Sequence, residues 1–451
     1  MAKGRSSLSA IAAAALIMSL TGCAGSGSGE TVLVTKTSET QPESSPEGDG
    51  TQAEGADGQP EGAAEEQVQE KKSLAADPTG LPLAEKVKLD LSLADHNKEK
   101  NYWETTDEKY SKFLGIMERE CEKDPNMQGV YLLANDDKVI FCGGINSTET
   151  DGETKVNAYT TYEIGSLTKA FTGTAILQLR EQGKLSLDDP ITKYFPEFEK
   201  GKDITLLNIL QMKSGLQAEF FDSDELMADF PLLKKYYTDG FTDEEMLKKL
   251  FSADPVGEPG YQTTYSNAGY VLLAMVIEQV TGESYADYVQ KNIFDVCGME
   301  HSTCMVNGGL TSVPVLPSEG TYEFDPYEVA PGGYSQWANS SRGAGDIHSC
   351  CADLLAFDRA LTSGQLINEE SLGIMFGVDM VETPYSCGWM FERSAKYAYS
   401  HAGSTPFYMA DNLYVKSEKY GNMYLVQLHS NVDDMKNMQT ATTNICVASG
   451  S

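Results

Sequence analysis

The apolar and polar positions of this chain change period twice along its length. Over residues 107–123, "DEKYSKFLGIMERECEK", Phe113, Leu114 and Met117 recur at helical spacing. Two apolar runs follow, "QGVYLLAND" and "KVIFCGGI", parted by Asp136 and Asp137, and this predicts a β-hairpin. The middle of the chain carries the helical period in "AFTGTAILQLREQGKL", "ITLLNILQMKSGL", "DEEMLKKLF" and "NAGYVLLAMVIEQVTGESYADYVQKNIF". Gly183 and Gly282 stand where two of these helices would stop. From Tyr385 strands return, in "CGWMFERS", "YAYSHAG", "YMADNLYVKS" and "GNMYLVQLHSN", and a last helical stretch begins at Asp433. The expected architecture is α/β: an antiparallel sheet built from both chain ends, flanked by helices, with a mainly helical insertion between. No internal repeat interrupts it, and the folded domain is expected over 107–446.

The first hundred residues follow a different pattern. Lys3 and Arg5 precede a short apolar run from Leu8 to Leu20, too short for a span of roughly 20 residues and suited to an export signal. Leu20-Thr21-Gly22-Cys23 resembles the lipobox of bacterial lipoproteins, so residues 1–22 are expected as a lipoprotein signal peptide and Cys23 as the lipidated residue. Two or more acyl chains hold a protein firmly at a membrane where one binds only marginally. Residues 23–98, rich in Gly, Ser, Pro, Glu and Asp, cannot bury enough apolar surface to offset chain entropy. They are expected as an acidic tether, which as a flexible coil spans about 50 Å. These features place the protein outside the cytoplasm, anchored by lipid to the bacterial cell membrane.

The whole chain of 451 residues has a net charge of −33, which argues against nucleic acid as a partner. Residues 1–98 hold 15 acids and 8 bases, so most of that charge belongs to the folded part. Of nine cysteines, eight follow Cys23; in an exported protein they can pair, and the sequence leaves the pairing open. "CGMEHSTC" gathers Cys297, His301 and Cys304, only three ligands and without paired CxxC spacing, so buried thiols or a local disulfide are preferred to zinc. For Cys350-Cys351 the expectation is one buried and one exposed thiol. No metal and no cofactor is expected.

Ser166 stands three residues before Lys169 at a predicted helix start, in "YEIGSLTKAFTGTAIL". Residues three apart share a helix face, so both point into whatever cleft the helix end borders. A helix start offers unpaired N–H groups to an oxyanion, and a desolvated lysine loses its proton readily and can take one from the serine. Alone, the pair reads more readily as a helix cap followed by a lysine. Two later segments add to it: "PGYQTTYSNAGYVLL", with Tyr265-Ser266-Asn267 entering a long helix, and "YSHAGSTPF", with His401-Ala402-Gly403 ending a predicted strand.

Three motifs in this order resemble the serine β-lactamase and penicillin-binding-protein-like family, especially its class C and esterase-like branch. The resemblance covers roughly residues 107–432 and extends to "GKLSLDDPITKYFPEF", "LLNILQMKSGL" and "VTGESYADYVQKNIFDVCGMEHST". It implies the β-lactamase-like fold, with Ser166 as acylated nucleophile, Lys169 accepting its proton and Tyr265 relaying that proton to the leaving group. It also implies that Asn267 contacts the substrate or Lys169, that Ser266 is structural, and that the strand motif lies at His401 and Gly403. The oxyanion hole would be the backbone N–H groups of Ser166 and Ser404. In this resemblance Asp188 and Asp189 brace the turn after the nucleophile helix, and Trp337 and Trp389 are candidates to line the cleft.

The departures carry information. Where penicillin-recognising members have a lysine and a hydroxyl on the strand, this chain has His401 and Ala402, which offer less to a carboxylate. "SSRGAGDIHSCCADLLAFDRAL" departs at Ala344 and Asp346, read as a changed turn, with His348 as a second base the less favoured reading. The expected function is an extracytoplasmic serine hydrolase acting through a Ser166 acyl-enzyme. Its substrate would be a small molecule or peptide, an amide or ester containing a D-amino acid, of peptidoglycan type, or a small ester, with weak or no β-lactamase activity. The alternative is a sensor that is acylated by cell-wall peptides or penicillins and releases them slowly.

Overall fold

The computed structural model describes residues 83–450 except 93, 98–99, 101, 124–127, 146–153, parts of 222–239, 308–339, 378–382, 406–407 and 431–434. Cys23, the segments expected as signal peptide and as most of the tether, and Trp337 lie outside the described residues. In chain order the first elements are α1 (Leu83–Val87), β1 (Ala94–Asn97), β2 (Tyr102–Thr105), α2 (Ser111–Lys123), β3 (Gly129–Asn135), β4 (Val139–Ile145) and β5 (Tyr162–Glu163). The middle holds α3 (Thr168–Glu181), α4 (Leu206–Leu210), α5 (Asp243–Ser252), α6 (Asn267–Thr281), α7 (Tyr285–Val289), β6 (Thr303–Cys304), β7 (Ile347–Ser349), α8 (Cys351–Thr362) and α9 (Glu369–Phe376). The chain closes with β8 (Tyr385–Ser386), β9 (Trp389–Phe391), β10 (Ala398–Ser404), β11 (Met409–Ser417), β12 (Gly421–His429) and α10 (Met435–Gly450).

The large sheet has the order β1-β2-β4-β3-β12-β11-β10-β9-β8 and is antiparallel throughout. The two chain ends meet at its centre, where Val426 of β12 pairs with Leu132 of β3. Helices cover both faces. Val130, Leu132 and Ala134 join the core on the side of α3, α6 and α8, while Tyr131 and Leu133 pack with Phe113, Met117, Ile445 and Cys446 of α2 and α10. Alternate residues thus reach different cores, and a strand buried on both sides reads as one apolar run instead of an alternating one.

α6 is apolar all round, and every residue from Ala268 to Ile277 is buried, as expected of a helix enclosed by others. The Ser266 side chain caps it by accepting from Gly269 N, and Gly282 ends it at φ 73°. Asp189 braces the turn after α3, accepting from Ser186 N and from the side chains of Lys193 and Tyr194. A small sheet, β5-β7-β6, lies at the base of the nucleophile turn.

The start of the domain is corrected by the structure. Residues 83–105, most of which had been read as the end of the tether, pack as α1, β1 and β2 on the edge of the large sheet. Val87 and Leu89 are buried, and the Arg359 guanidinium of α8 holds the carbonyls of Val87 and Lys88. Among the described residues β1 pairs with β2 alone and has no buried residue, so its polar composition hides it from a hydrophobic pattern.

Candidate active site

Ser166 occupies a 3₁₀ turn, Gly165–Leu167, that leads directly into α3. Gly165 takes φ 50°, and a Cβ there would stand 2.9 Å from Ser404 N. A Cβ on Gly403 would stand 2.0 Å from Ile164 O and 3.1 Å from Ser166 N. Both glycines are therefore required where the end of β10 meets the nucleophile turn backbone to backbone. Thr405 N bonds to Tyr408 O across the β10–β11 turn, so the alternation of an antiparallel ladder turns Ser404 N–H away from β11 and toward residues 165 and 166. The backbone nitrogens of Ser166 and Ser404 both lie at this junction, and a pair of such N–H groups is what an oxyanion needs.

Lys169 is fully buried on the first turn of α3. Its Nζ lies 3.0 Å from Ser166 Oγ and 2.6 Å from Ala344 O. The ammonium also stands over the rings of Tyr265, at 4.9 Å, and Tyr270, at 5.7 Å. Those rings and the nearby Glu219 favour the charged form, yet loss of water outweighs them and Lys169 is pulled down to about 7. At neutral pH an appreciable fraction is a free amine able to take the Ser166 proton.

The Ala344 carbonyl belongs to the changed turn. Asp346 holds it by accepting from Gly343 N at 2.8 Å, and burial pushes this carboxyl up to about 7. His348 lies on β7 with Nε2 3.9 Å from Glu163 Oε1. Burial drives it to about 3, a poor proton acceptor.

Tyr265 and Asn267 flank the Ser266 cap as the motif predicts. The backbone is clamped on both sides of Tyr265: Thr264 N donates to Met212 O and Ser266 N to Met212 Sδ. Ser266 Oγ donates to Gln217 O, confirming a structural part for it. The Asn267 amide does not turn to Lys169; it donates to Glu219. Glu219 is the residue the motifs missed. It is partly buried; desolvation raises its carboxyl, against the pull of Asn267 and Lys169. The only sign of it in the sequence is an acid set between Ala218 and Phe220-Phe221.

His401 reaches the same cluster, 6.2 Å from Tyr265 between ring centroids, but buried at 3% exposure. Nδ1 lies 2.6 Å from Ala402 O and Nε2 3.2 Å from Tyr385 Oη, so both ring nitrogens are engaged. Trp389 is 1% exposed and belongs to the core; the small space it lines with Leu167, Ala170 and Phe171 also touches His401. Cys350 and Cys351 are both buried, and the eight cysteines after Cys23 are free thiols. The His301 ring lies against Tyr159, at 5.3 Å, while Cys297 and Cys304 are buried.

Comparison with known proteins bears on this arrangement. PbpX of Bacillus subtilis, which carries a penicillin-binding-protein name, is 28% identical over 323 residues, covering 69% of this chain and 72% of that protein. The D-stereospecific amidohydrolase of a Streptomyces species shares the fold with a TM-score of 0.57 at 21% identity, covering 74% of this chain and 98% of that one. The D-amino acid amidase of Ochrobactrum anthropi, solved with D-phenylalanine, does so with a TM-score of 0.55 at 20% identity, covering 76% and 99%. The profile of the beta-lactamase family matches residues 117–444. With most of the chain matched and the antiparallel sheet and helices in the order that fold requires, this protein belongs to the beta-lactamase family and is a serine hydrolase of the β-lactamase-related type.

Proposed function

We propose that this protein is an exported, lipid-anchored serine amidase that acts through a Ser166 acyl-enzyme on amides and peptides of D-amino acids whose α-amino group is free. The observation that carries this reading is the Glu219 carboxylate, bonded to Asn267 beside Lys169, where the strand opposite supplies a neutral His401 in place of a cation. Such a cleft favours an ammonium over a carboxylate on the substrate. The names of the amidohydrolase and amidase with this fold support the same class.

In this mechanism neutral Lys169 takes the Ser166 proton as Oγ attacks the amide carbonyl, and the oxyanion is held by the N–H groups of Ser166 and Ser404. The leaving nitrogen takes a proton from the Tyr265 phenol, which is replenished from Lys169. A water molecule then attacks the ester, giving its proton back along the same route and freeing Ser166.

The test is a panel at pH 8: D-phenylalanine amide, its N-acetyl derivative, a D-alanyl-D-alanine peptide and a chromogenic cephalosporin. The free amine should be the best substrate, with acetylation lowering kcat/KM by about ten- to hundredfold, the worth of a charge-assisted hydrogen bond of about 1.5–3 kcal/mol. Glu219→Gln should erase most of that ratio. A cephalosporin turned over faster than the amide would overturn the reading.

Export rests on the signal-like segment and Cys23. In fractionated cells the Cys23→Ala protein should leave the membrane while keeping its hydrolytic rate; membrane retention would mean a different anchor.

A further inference from the structure

We propose that Tyr385 is a specificity-determining residue of this site: by donating to His401 Nε2 it holds the strand histidine as a neutral acceptor and so excludes substrates that present a carboxylate there. The inference deepens the amidase reading above and rests on it for the identity of the site, though not for the state of the histidine.

The hydrogen-bond pattern leaves one assignment. Ala402 O can only accept, so Nδ1, 2.6 Å away, must carry the proton. Burial disfavours a second proton on the ring, so Nε2 keeps its lone pair and Tyr385 Oη, 3.2 Å away, is placed to donate to it. Neither nitrogen has an N–H left for a substrate oxygen. For His401 to serve a carboxylate as the family's strand lysine does, Nε2 would have to gain a proton and lose Tyr385.

The surroundings oppose that step. Tyr385 and His401 are each 3% exposed. The titratable groups around the ring are Lys169 from α3, Tyr265 and Tyr270 from the entrance and first turn of α6, Tyr385 from β8, and Asp358 of α8, reached through Asn412, the cross-strand partner of His401. Burial and the Lys169 charge both disfavour an imidazolium, and the ring is held near 3. The edge-on packing of the Tyr385 ring against His401, at 5.5 Å and 78°, and against Tyr265, at 6.1 Å and 86°, fixes where its hydroxyl points. Burial and Lys169 thus favour the neutral ring, and the Tyr385 hydroxyl is set to occupy the nitrogen that a carboxylate would need protonated.

Tyr385→Phe keeps the ring and removes the donor. A bound carboxylate can then supply the counter-charge for a proton on Nε2. The kcat/KM for a carboxylated cephalosporin, divided by that for a neutral p-nitrophenyl ester, should rise about tenfold in the variant between pH 8 and pH 5.5. In the wild type it should stay flat. The ratio cancels the loss of Lys169 activity that both substrates share, and a merely structural tyrosine would lower both rates together and leave the ratio flat. A flat ratio in the variant would overturn the proposal. Independently of turnover, ¹⁵N NMR of the wild-type ring, assigned with His401→Asn, should show a neutral imidazole protonated on Nδ1 from pH 5 to 9. Protonation on Nε2, or a titration inside that range, would overturn the proposal even if the amidase assignment holds. Loss of the free-amine preference in the substrate panel with an intact Nδ1–H ring would overturn the amidase reading alone.

Discussion

Ser166→Ala is expected to abolish both turnover and covalent labelling by a fluorophosphonate probe, with a loss of several orders of magnitude, as when any member of a nucleophile–base unit is removed. The size of the effect follows from geometry. Nζ of Lys169 has Ser166 Oγ at 3.0 Å, and the nucleophile turn is locked against β10 by glycines that admit no side chain. An alanine at 166 fits the turn, so the folded protein remains and intact mass spectrometry after mixing with substrate finds no adduct. Normal turnover by this variant would remove the acyl-enzyme from the mechanism.

Lys169→Met removes the base while filling nearly the same volume, and kcat/KM should fall by about 10² to 10⁴, the usual worth of a positioned proton acceptor. The wild-type pH profile gives an independent check. Burial lowers Lys169 to about 7, and the amine accepts a proton only when deprotonated. Wild-type kcat/KM should accordingly rise with pH through about 7 and level off above it, reporting the free enzyme. Residual activity of the methionine variant should lack that limb. A wild-type profile flat from pH 6 to 9 would show that another group accepts the proton. The stability of the methionine variant should change little, because relief from burying the amine offsets the bond lost at the Ala344 carbonyl.

Much of the site was legible in the residue order because its chemistry is local. Ser166 and Lys169 lie one helical turn apart, and Tyr265, Ser266 and Asn267 cap a helix whose apolar run announces itself. Spacing alone puts such groups on one face or at one helix end. Glu219 was not legible, because its meaning comes from Asn267 and Lys169, each about fifty positions away along the chain. From the sequence, His401 stands where the family has a cation and offers less to a carboxylate. Whether its nitrogens were available depended on a tyrosine from another strand.

The sequence by itself determined the class of fold and the reaction. Apolar runs of strand length at both ends with helical periods between them indicate the class of fold, and the Ser166–Lys169, Tyr265–Asn267 and His401–Gly403 motifs carry the family resemblance that implies the reaction, since secondary-structure period and reactive groups are properties of short segments. Tertiary structure decided where the domain begins, which carbonyl holds Lys169, how far burial lowers its proton affinity and which partners Asn267 and His401 bond to. Each of these depends on desolvation and on partners brought together by folding, and polar residues such as those of β1 or the acid at Glu219 carry no mark of burial in their own neighbourhood of the chain.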